Sequence, residues 1–589
     1  VRAYGKLTQL IRVSRETHSL RDTIDSVAIA LILTLLFKCF IMEAFVIPTS
    51  SMAPTLYGAH IRIACPRCGY QYEQNSSLNE QSRVVLREGK PQWELVNFSE
   101  AGQRGDLVDH TTVPTSTYRT CPNCGKEIPA SILPEYLDTR NLPRPHDARG
   151  SEIPFAWANN GDRILVEKYA YMFSAPIRWD VVVFKEPMAG IDNYIKRLIG
   201  LPGESIEIVG GDIFVGNAAQ PGVRTVVHKP RYIQESVWRL VYDQSMVPLS
   251  NDYDAAVEKP FIQPWHVVGD SQDWDFSRPV VRFTPKNSLP GSITFAPSSD
   301  SSNARSIYNT LGYNNDYHHG IRRGEYKSDP LSGQYRYVVP DLKLSFVWTP
   351  QDESSAGLEL ILGPPYFRYR ALFRAGQPVT IKPGAGNTPD TAFETTGKPV
   401  PAYSANVSYR VEFTNVDHAV ELRVNGLTMA RHEIPWTAES AKQQTSISLE
   451  PRDLAVEIHL SGPATLANLR LDRDNYYTVI DDRRPNSPGQ ATTGNPIQLR
   501  SGHGNDEFFV LGDNSTESLD ARWWDRVHPS LHDLDTPVGV VPQRFMIGKA
   551  FFVYWPAAYR LPEAAPIMRN TIRREWPLVP NFADVRFIH

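Results

Sequence analysis

Cysteine is scarce in this chain. Five occur in 589 residues, too few for a disulfide scaffold, although the number by itself does not fix the redox compartment. An excess of charge of one sign is also missing. Lys and Arg total 61 against 65 Asp and Glu, a formal net charge of -4, which excludes the broad basic field that gathers nucleic acid or anionic lipid. No internal repeat and no low-complexity tract is present. The 47 prolines and 37 glycines are instead scattered among short alternating runs, the pattern of a turn-rich, mainly β protein. With 41% hydrophobic and 11% aromatic residues, the chain can fill roughly three or four domain cores.

Long apolar runs are equally rare, and one stands near the N-terminus. From Val27 to Ile47 the polar exceptions are Thr34, Lys38, Cys39 and Glu43, a run close to the roughly 20 residues that cross a bilayer as a helix. Lys38 and Glu43 near its outer end can snorkel to the headgroups. Arg2, Lys6, Arg12, Arg15 and Arg21 precede it, so the positive-inside rule keeps the N-terminus cytoplasmic and sends the rest of the chain outside. A cleavable signal peptide would need a small-x-small exit that is lacking here, and a buried amphipathic helix is the other alternative.

Three separated segments carry the chemistry. The first, Ile47 to Leu56, places Ser50 and Ser51 between Pro48 and Pro54, which stiffen an extended stretch. The second runs Asn193-Tyr194-Ile195-Lys196-Arg197-Leu198-Ile199 ahead of a Gly-Leu-Pro-Gly turn, a hydrophobic strand in which alternation alone would send Lys196 to solvent. The third is Gly512-Asp513-Asn514-Ser515-Thr516-Glu517-Ser518-Leu519-Asp520-Ala521-Arg522, which by itself reads as an Asx-rich turn. Taken together, in order, residue type and spacing, they resemble the boxes of bacterial signal peptidase I, with Gly161-Asp162-Arg163 and Ile547 to Pro556 extending the likeness. It covers residues 22–60, 157–217 and 505–556.

The resemblance implies a serine endopeptidase with Ser51 as nucleophile and Lys196 as general base. A serine hydroxyl attacks poorly until a neighbour removes its proton, and lysine does so only as the free amine, so Lys196 is expected to be desolvated. The resemblance also implies an oxyanion hole from the Ser51 backbone N–H and the Thr49 hydroxyl. Ser518 is implied to hydrogen-bond the lysine, with Asp520 and Arg522 as a supporting ion pair. Thr49 and Ala521 stand where serine is usual, and Ser50 where the best-known members have glycine. Phe45, Ile47, Pro48, Met52, Leu56, Tyr194 and Ile195 are implied to line shallow substrate pockets, although some could be ordinary core. Such pockets would suit the Ala-x-Ala pattern before a signal-peptide cleavage site, with main-chain pairing of the extended substrate adding to them. No metal is needed for this reaction.

The remaining cysteines form two Cys-x-x-Cys-Gly knuckles, Cys65 with Cys68 and Cys121 with Cys124, the ligand pattern of a structural zinc ribbon. Two disulfides are the alternative, given an export-side location. Further on, Leu342 to Phe346, Tyr409 to Phe413, Val420 to Val424 and Val456 to Leu460 alternate strictly, which predicts a jelly-roll-like β-sandwich whose role the fold does not give. Glycines 210 and 211 predict a hairpin continuing the catalytic sheet. The stretch 221–330, with Trp265, Trp274 and Tyr317, shows no assignable pattern, and His318 and His319 read as a solvated loop rather than a metal site.

The expected organisation is a cytoplasmic segment at 1–22, a transmembrane anchor at 23–44, and a β catalytic domain split over 45–60, 157–220 and 500–560. A zinc ribbon occupies 61–156, an unassigned insertion 221–330, the β-sandwich 331–478 and a tail 561–589. Such doubly expanded forms resemble those of planctomycete-type bacteria. The expected setting is the bacterial cytoplasmic membrane with the catalytic domain outside. The expected partners are preprotein signal peptides, membrane lipid and the export machinery, with no nucleic acid. Two rivals remain: a membrane-anchored surface-ligand binding protein on a relic peptidase body, and a processing protease of narrower range.

Overall fold

Wherever apolar residues alternate with polar ones the chain is extended, and the strands assemble into antiparallel sheets. The computed structural model describes residues 21–32, 41–75 apart from 59 and 66, 81–87, 90–96, 118–129, 156–248 apart from 160, 189, 191 and 221, 261–296 apart from 270, 287 and 288, 307–314 apart from 310, 337–384 apart from 375, 395–399, 404–445, 449–479, 489–556 apart from 503, 504, 530 and 532–535, and 585–589. The mainly β character expected from the sequence holds among the described residues.

The first sheet comprises β1 (Met42–Val46), β2 (Arg163–Glu167), β3 (Val181–Lys185), β4 (Asn193–Gly200), β5 (Glu507–Leu511), β6 (Val541–Pro542), β7 (Met546–Trp555) and β8 (Arg586–Phe587). Their order is β1-β2-β7-β3-β4-β5-β6, with β8 against β7 and every neighbour antiparallel. Its centre is buried on both faces. Val181 and Val183 join one apolar cluster with Ile47, Met52 and Leu56, whereas Val182 and Phe184 join another with Leu198, Leu511 and Trp524. Double-sided burial is why the run Val181 to Phe184 is continuously apolar.

Three expectations about this sheet change. Residues 42–44, assigned to the anchor, begin a strand in register with β2, Met42 opposite Glu167. A short apolar run does not by itself distinguish helix from strand, and pairing decided it. The hairpin Glu204–Val209/Asp212–Asn217 forms, with Gly210 and Gly211 both at positive φ, as a tight turn of right twist requires. It joins Thr225–Val226 and Ile497–Gln498 in a separate four-stranded sheet, however, and does not extend the first. The C-terminus returns to the body: β8 pairs with β7, and Ile588 enters the core beside Ile47 and Met52.

Residues 21–32 are helical. Among the described residues no helix is long and apolar enough to cross a membrane. Residues 33–40 of the expected anchor, including Lys38 and Cys39, lie outside the described residues. So do Tyr317, His318, His319 and most of the tail.

The sandwich is real but begins earlier than expected. One sheet orders Trp274–Asp275, Val281–Phe283, Ala464–Arg473, Leu342–Pro350, Tyr409–Val416, Ala419–Val424 and Leu427–Glu433, with Arg239–Asp243 also against Ala464–Arg473. The other orders Trp265–Val268, Gly291–Phe295, Ala455–Leu460, Gly357–Gly363, Tyr369–Arg374, Pro378–Pro383 and Thr395–Pro399. Leu342, Leu344, Phe346 and Trp348 fill the interior on every second position, each fully buried chain being worth roughly 1.5–3 kcal/mol. Residues 221–330 thus supply strands to both sheets. Those strands are two to five residues long, too short for alternation to show, and Val281–Phe283 finds its partner some 180 residues later in Ala464–Leu466.

In the first insertion, His60–Ala64 pairs with Gln71–Asn75 and with Ala156–Asn159. The last of these belongs to this three-stranded sheet of the insertion and not to the first sheet. The two insertions also touch: Asn123 Nδ2 donates to the carbonyls of Asp243 and Met246, each at 3.2 Å, and its Oδ1 accepts from the Asp243 N–H at 2.7 Å.

Candidate active site

The serine segment leaves β1 and is stitched to the Gly-Asp box by the backbone. Ile47 N–H donates to the Asp162 carbonyl at 2.9 Å, and Asp162 N–H to the Tyr57 carbonyl at 2.9 Å. A one-turn coil follows, with Ala53 N–H bonded to the Ser50 carbonyl and Leu56 N–H to the Met52 carbonyl. Met52 and Leu56 are thereby sunk into the core and Ser51 is left 7% exposed.

Lys196 arrives from the centre of β4, opposite Val182 of β3. It is 4% exposed, so the solvent-facing alternative for this lysine does not hold. Its Nζ lies 2.8 Å from Ser51 Oγ and 3.1 Å from the Ile195 carbonyl, with the Tyr194 ring centroid at 5.3 Å. Burial pulls the ammonium down to about 8, against upward pulls from Asp520 and Asp513 and with a further lowering by Arg522. At pH 7 roughly a tenth of such a lysine is free amine, far more than for an exposed one, and the free amine can accept a hydroxyl proton. Thr49 Oγ1 lies 3.5 Å from Ser51 Oγ on the exposed side, where it can reach an oxygen developing beside the nucleophile.

The third segment buttresses both. Asp520 and Arg522 form a fully buried ion pair, Nε to Oδ1 at 2.9 Å and Nη2 to Oδ2 at 2.8 Å. Arg522 also donates to the Thr478 carbonyl, Ser515 Oγ and the Ser515 carbonyl, and Asp520 Oδ2 accepts from Gly512 N–H at 2.9 Å. Neither charge lacks a partner, as burial demands. Gly512 must be glycine: a Cβ there would fall 2.1 Å from Ser518 Oγ and 2.5 Å from the Ser51 carbonyl.

Ser518 departs from expectation. Its hydroxyl is buried and has no hydrogen-bond partner among the described residues, whereas the bonds of Lys196 go to Ser51 and Ile195. The tight packing of Ser518 over the bare Cα of Gly512 accounts for its position.

The expected substrate set divides. Ile47, Met52 and Leu56 are core. Phe45, Pro48, Tyr194 and Ile195 keep part of their surface exposed, Phe45 and Ile195 packing against the same cluster as Ile47 and Met52 and Tyr194 against the opposite one.

Sequence reading missed a second cation. Arg197, next to Lys196 and therefore on the opposite face, is wholly buried and grips Asp513 with two bonds of 2.7 Å. Its Nη1 donates to the carbonyls of Trp179 and His589, each at 2.9 Å. Burial works to raise the Asp513 carboxyl, but the Arg197 charge and its hydrogen bonds outweigh this and hold it below the usual carboxylate range. Also missed was Asn514, whose N–H bonds the Ser51 carbonyl and whose Nδ2 bonds the Ser50 carbonyl, both at 3.1 Å. The signal for Arg197 was present: adjacent charges in a strand apolar on both faces cannot both reach water.

The four knuckle cysteines converge away from this site, with sulfur atoms all within 4.8 Å of one another. Cys65 and Cys124 sulfurs are 3.4 Å apart and those of Cys68 and Cys121 3.7 Å. All four are free thiols, whereas a disulfide needs about 2.05 Å. Four sulfurs around a tetrahedral ion at about 2.3 Å would be separated by close to these distances. Gly69 N–H bonds the Cys65 carbonyl and Gly125 N–H the Cys121 carbonyl, closing each knuckle. The donor set fits a four-thiolate metal.

Comparison with known proteins agrees with the geometry. A family model described as "Signal peptidase, peptidase S26" matches residues 156–259 and 422–555, a range holding Lys196 and the Gly512 to Arg522 turn but not Ser51. A signal peptidase I from Leptolyngbya laminosa is 30% identical over 138 residues, 22% of this chain and 63% of that protein. The probable signal peptidase I-1 of Synechocystis sp. is 30% identical over 162 residues, 26% of this chain and 74% of that protein. The chain therefore spans somewhat under two thirds of the first relative and about three quarters of the second. Among solved structures, a carbohydrate binding module from Bacillus subtilis covers 36% of this chain and 95% of that chain at 10% identity and a TM-score of 0.20, too slight a likeness to bear on function.

Replacing Asp513 by Ala leaves Arg197 buried without a counter-charge and should cost ~3–5 kcal/mol of stability, read by urea unfolding. Because the Asp513 pKa is depressed on folding, its contribution is complete above the unfolded value of about 3.9 and is lost as the pH falls through the folded one. The loss of stability on acidifying below about pH 4 should be shallower in the Ala variant. For Lys196 the sign is opposite. Its folded value of about 8 lies below the unfolded one of about 10.4, so near pH 6 burying the ammonium opposes folding. Lys196→Met should therefore raise the melting temperature at pH 6, and a fall would contradict this electrostatic account.

Proposed function

We propose, since the chain belongs to the signal peptidase I family, that it is a membrane-bound serine endopeptidase removing N-terminal signal peptides from exported preproteins. The observation that carries this reading is the buried 2.8 Å contact between Lys196 Nζ and Ser51 Oγ. In the proposed reaction Lys196, as free amine, takes the Ser51 proton while Oγ attacks the scissile carbonyl. The negative oxygen is met by the Thr49 hydroxyl and the Ser51 N–H. Collapse of the tetrahedral adduct expels the new amine with the proton from Lys196, leaving an acyl ester on Ser51. Water, deprotonated by the same lysine, then releases the acid.

The partly exposed Phe45, Pro48, Tyr194 and Ile195 would line shallow pockets for the small side chains of an Ala-x-Ala segment. The apolar N-terminal run would hold the catalytic domain at the outer face of the cytoplasmic membrane, beside lipid and the export machinery. The four cysteines would hold a structural zinc, and four thiolates leave no open coordination position for water. The reading of a relic peptidase body carrying a ligand-binding sandwich is disfavoured by the intact contact between Ser51 and Lys196.

Detergent-solubilised full-length protein should cut a preprotein bearing an Ala-x-Ala site after the final Ala, and Ser51→Ala and Lys196→Ala should each abolish the cut. An inert wild type across several preproteins would sink the proposal. The rate should rise with pH through an apparent pKa of about 8, the value to which burial brings Lys196. A profile flat from pH 6 to 9 would exclude this lysine as the base. Elemental analysis should find one zinc per chain, lost in Cys65→Ser. Mass spectrometry finding disulfides at these positions would rule the metal out.

A further inference from the structure

A residue of the second insertion reaches the asparagine that holds the serine segment. Asn314 Nδ2 donates to Asn514 Oδ1 at 2.9 Å, and Asn514 Nδ2 donates back to Asn314 Oδ1 at 2.6 Å. The second Nδ2 hydrogen of Asn514 is the one given to the Ser50 carbonyl, and its backbone N–H holds the Ser51 carbonyl. We infer that Asn314 is a positioning residue for Ser51, acting through the orientation of the Asn514 amide.

The donor count carries the argument. A carboxamide has two N–H donors and one carbonyl acceptor. With Asn314 present, both Asn514 donors are used and its oxygen points to a donor. The Ser50 carbonyl, which can only accept, fixes which end of the Asn514 amide faces it, and the two bonds to Asn314 hold the amide in the position that grips the serine segment. Asn314 is anchored in turn, its Nδ2 reaching Thr516 Oγ1 at 3.0 Å.

The segment that brings Asn314 here is fixed at both ends. Ile307 is buried in the sandwich core and Val339 N–H bonds its carbonyl, while Tyr313 is buried with its ring centroid 5.3 Å from that of Tyr57, just past the serine coil. Gly312 lies against Pro122 of the second cysteine knuckle, 3.3 Å from where a Cβ would stand. The insertion thus supplies a strut from the sandwich, past the knuckle, to the carbonyls flanking the nucleophile. Misplacement of a reacting atom by about 1 Å can lower a rate by about 100-fold, so an amide lock of this kind is expected in kcat.

This inference rests on the proposed peptidase reading, and the test separates the two. Preprotein cleavage by the full chain is measured for wild type, Ser51→Ala, Asn314→Ala and Thr516→Val. The expected result is a fall in kcat of about tenfold for Asn314→Ala and two- to threefold for Thr516→Val. KM should stay within twofold and the apparent pKa should remain about 8, because the surroundings of Lys196 are untouched. A normal kcat in Asn314→Ala while Ser51→Ala is dead overturns this inference alone. A loss appearing in KM or as a collapsed melting temperature, with Thr516→Val unaffected, shows a merely structural role and also overturns it. Activity surviving Ser51→Ala removes the peptidase reading and this inference with it.

Discussion

A lysine strips a proton from serine near neutral pH only where its surroundings refuse it a charge, and the rest of the catalytic body is arranged around that constraint. The refusal comes from a sheet covered on both faces, with Lys196 opposite Val182 and Arg197 opposite Val181. Two cations on successive residues of a doubly buried strand would be ruinous if treated alike. The structure treats them oppositely. Arg197 receives a bidentate carboxylate and stays charged, whereas Lys196 receives a hydroxyl and a carbonyl and is drawn toward neutrality. The acids that could pair with it, Asp513 and Asp520, are each taken by an arginine, which restrains their upward pull on the lysine.

That division makes the Gly512 to Arg522 turn more than a support. It carries both acids, the glycine over which Ser51 and Ser518 pack, and the asparagine that holds the serine segment by its carbonyls. The C-terminal residues close the remaining gap: the His589 carbonyl caps Arg197, and Arg586 reaches the Thr55 carbonyl and Asp162. The insertions are wired in too. Thr478, at the end of the sandwich, accepts from Arg522, and Asn123 ties the cysteine knuckle to Asp243 and Met246. Material added between the boxes has become part of what holds them together.

How far the sequence could be read depended on how local each feature is. The sandwich strands with strict alternation were legible because period two is written in consecutive residues. The short strands at Trp265, Trp274 and Val281 were not, since each is too short to show alternation and they join the sheets through distant strands, Val281–Phe283 against Ala464–Leu466 and Gly291–Phe295 against Ala455–Leu460. Met42 to Val46 read as the end of an apolar span because residue type is the same in both readings, and pairing with Arg163 to Glu167 chose between them. Ile47, Met52 and Leu56 read as pocket residues and proved to be core, because an apolar side chain does not announce which side of a surface it lies on.

What the sequence by itself determined was chemistry held in short motifs: the serine box, the lysine strand, the glycine-aspartate turn, the two cysteine knuckles, and the β character of most of the chain. What the tertiary structure alone decided was which of these meet. Ser51 and Lys196 are 145 positions apart, Arg197 and Asp513 316, and Asn314 and Asn514 200. The physical reason is that a charge state is set by what surrounds a group and not by its neighbours in sequence. Lys196 and Arg197 are adjacent basic residues on one strand, and only the folded environment makes one a base and the other a permanent cation.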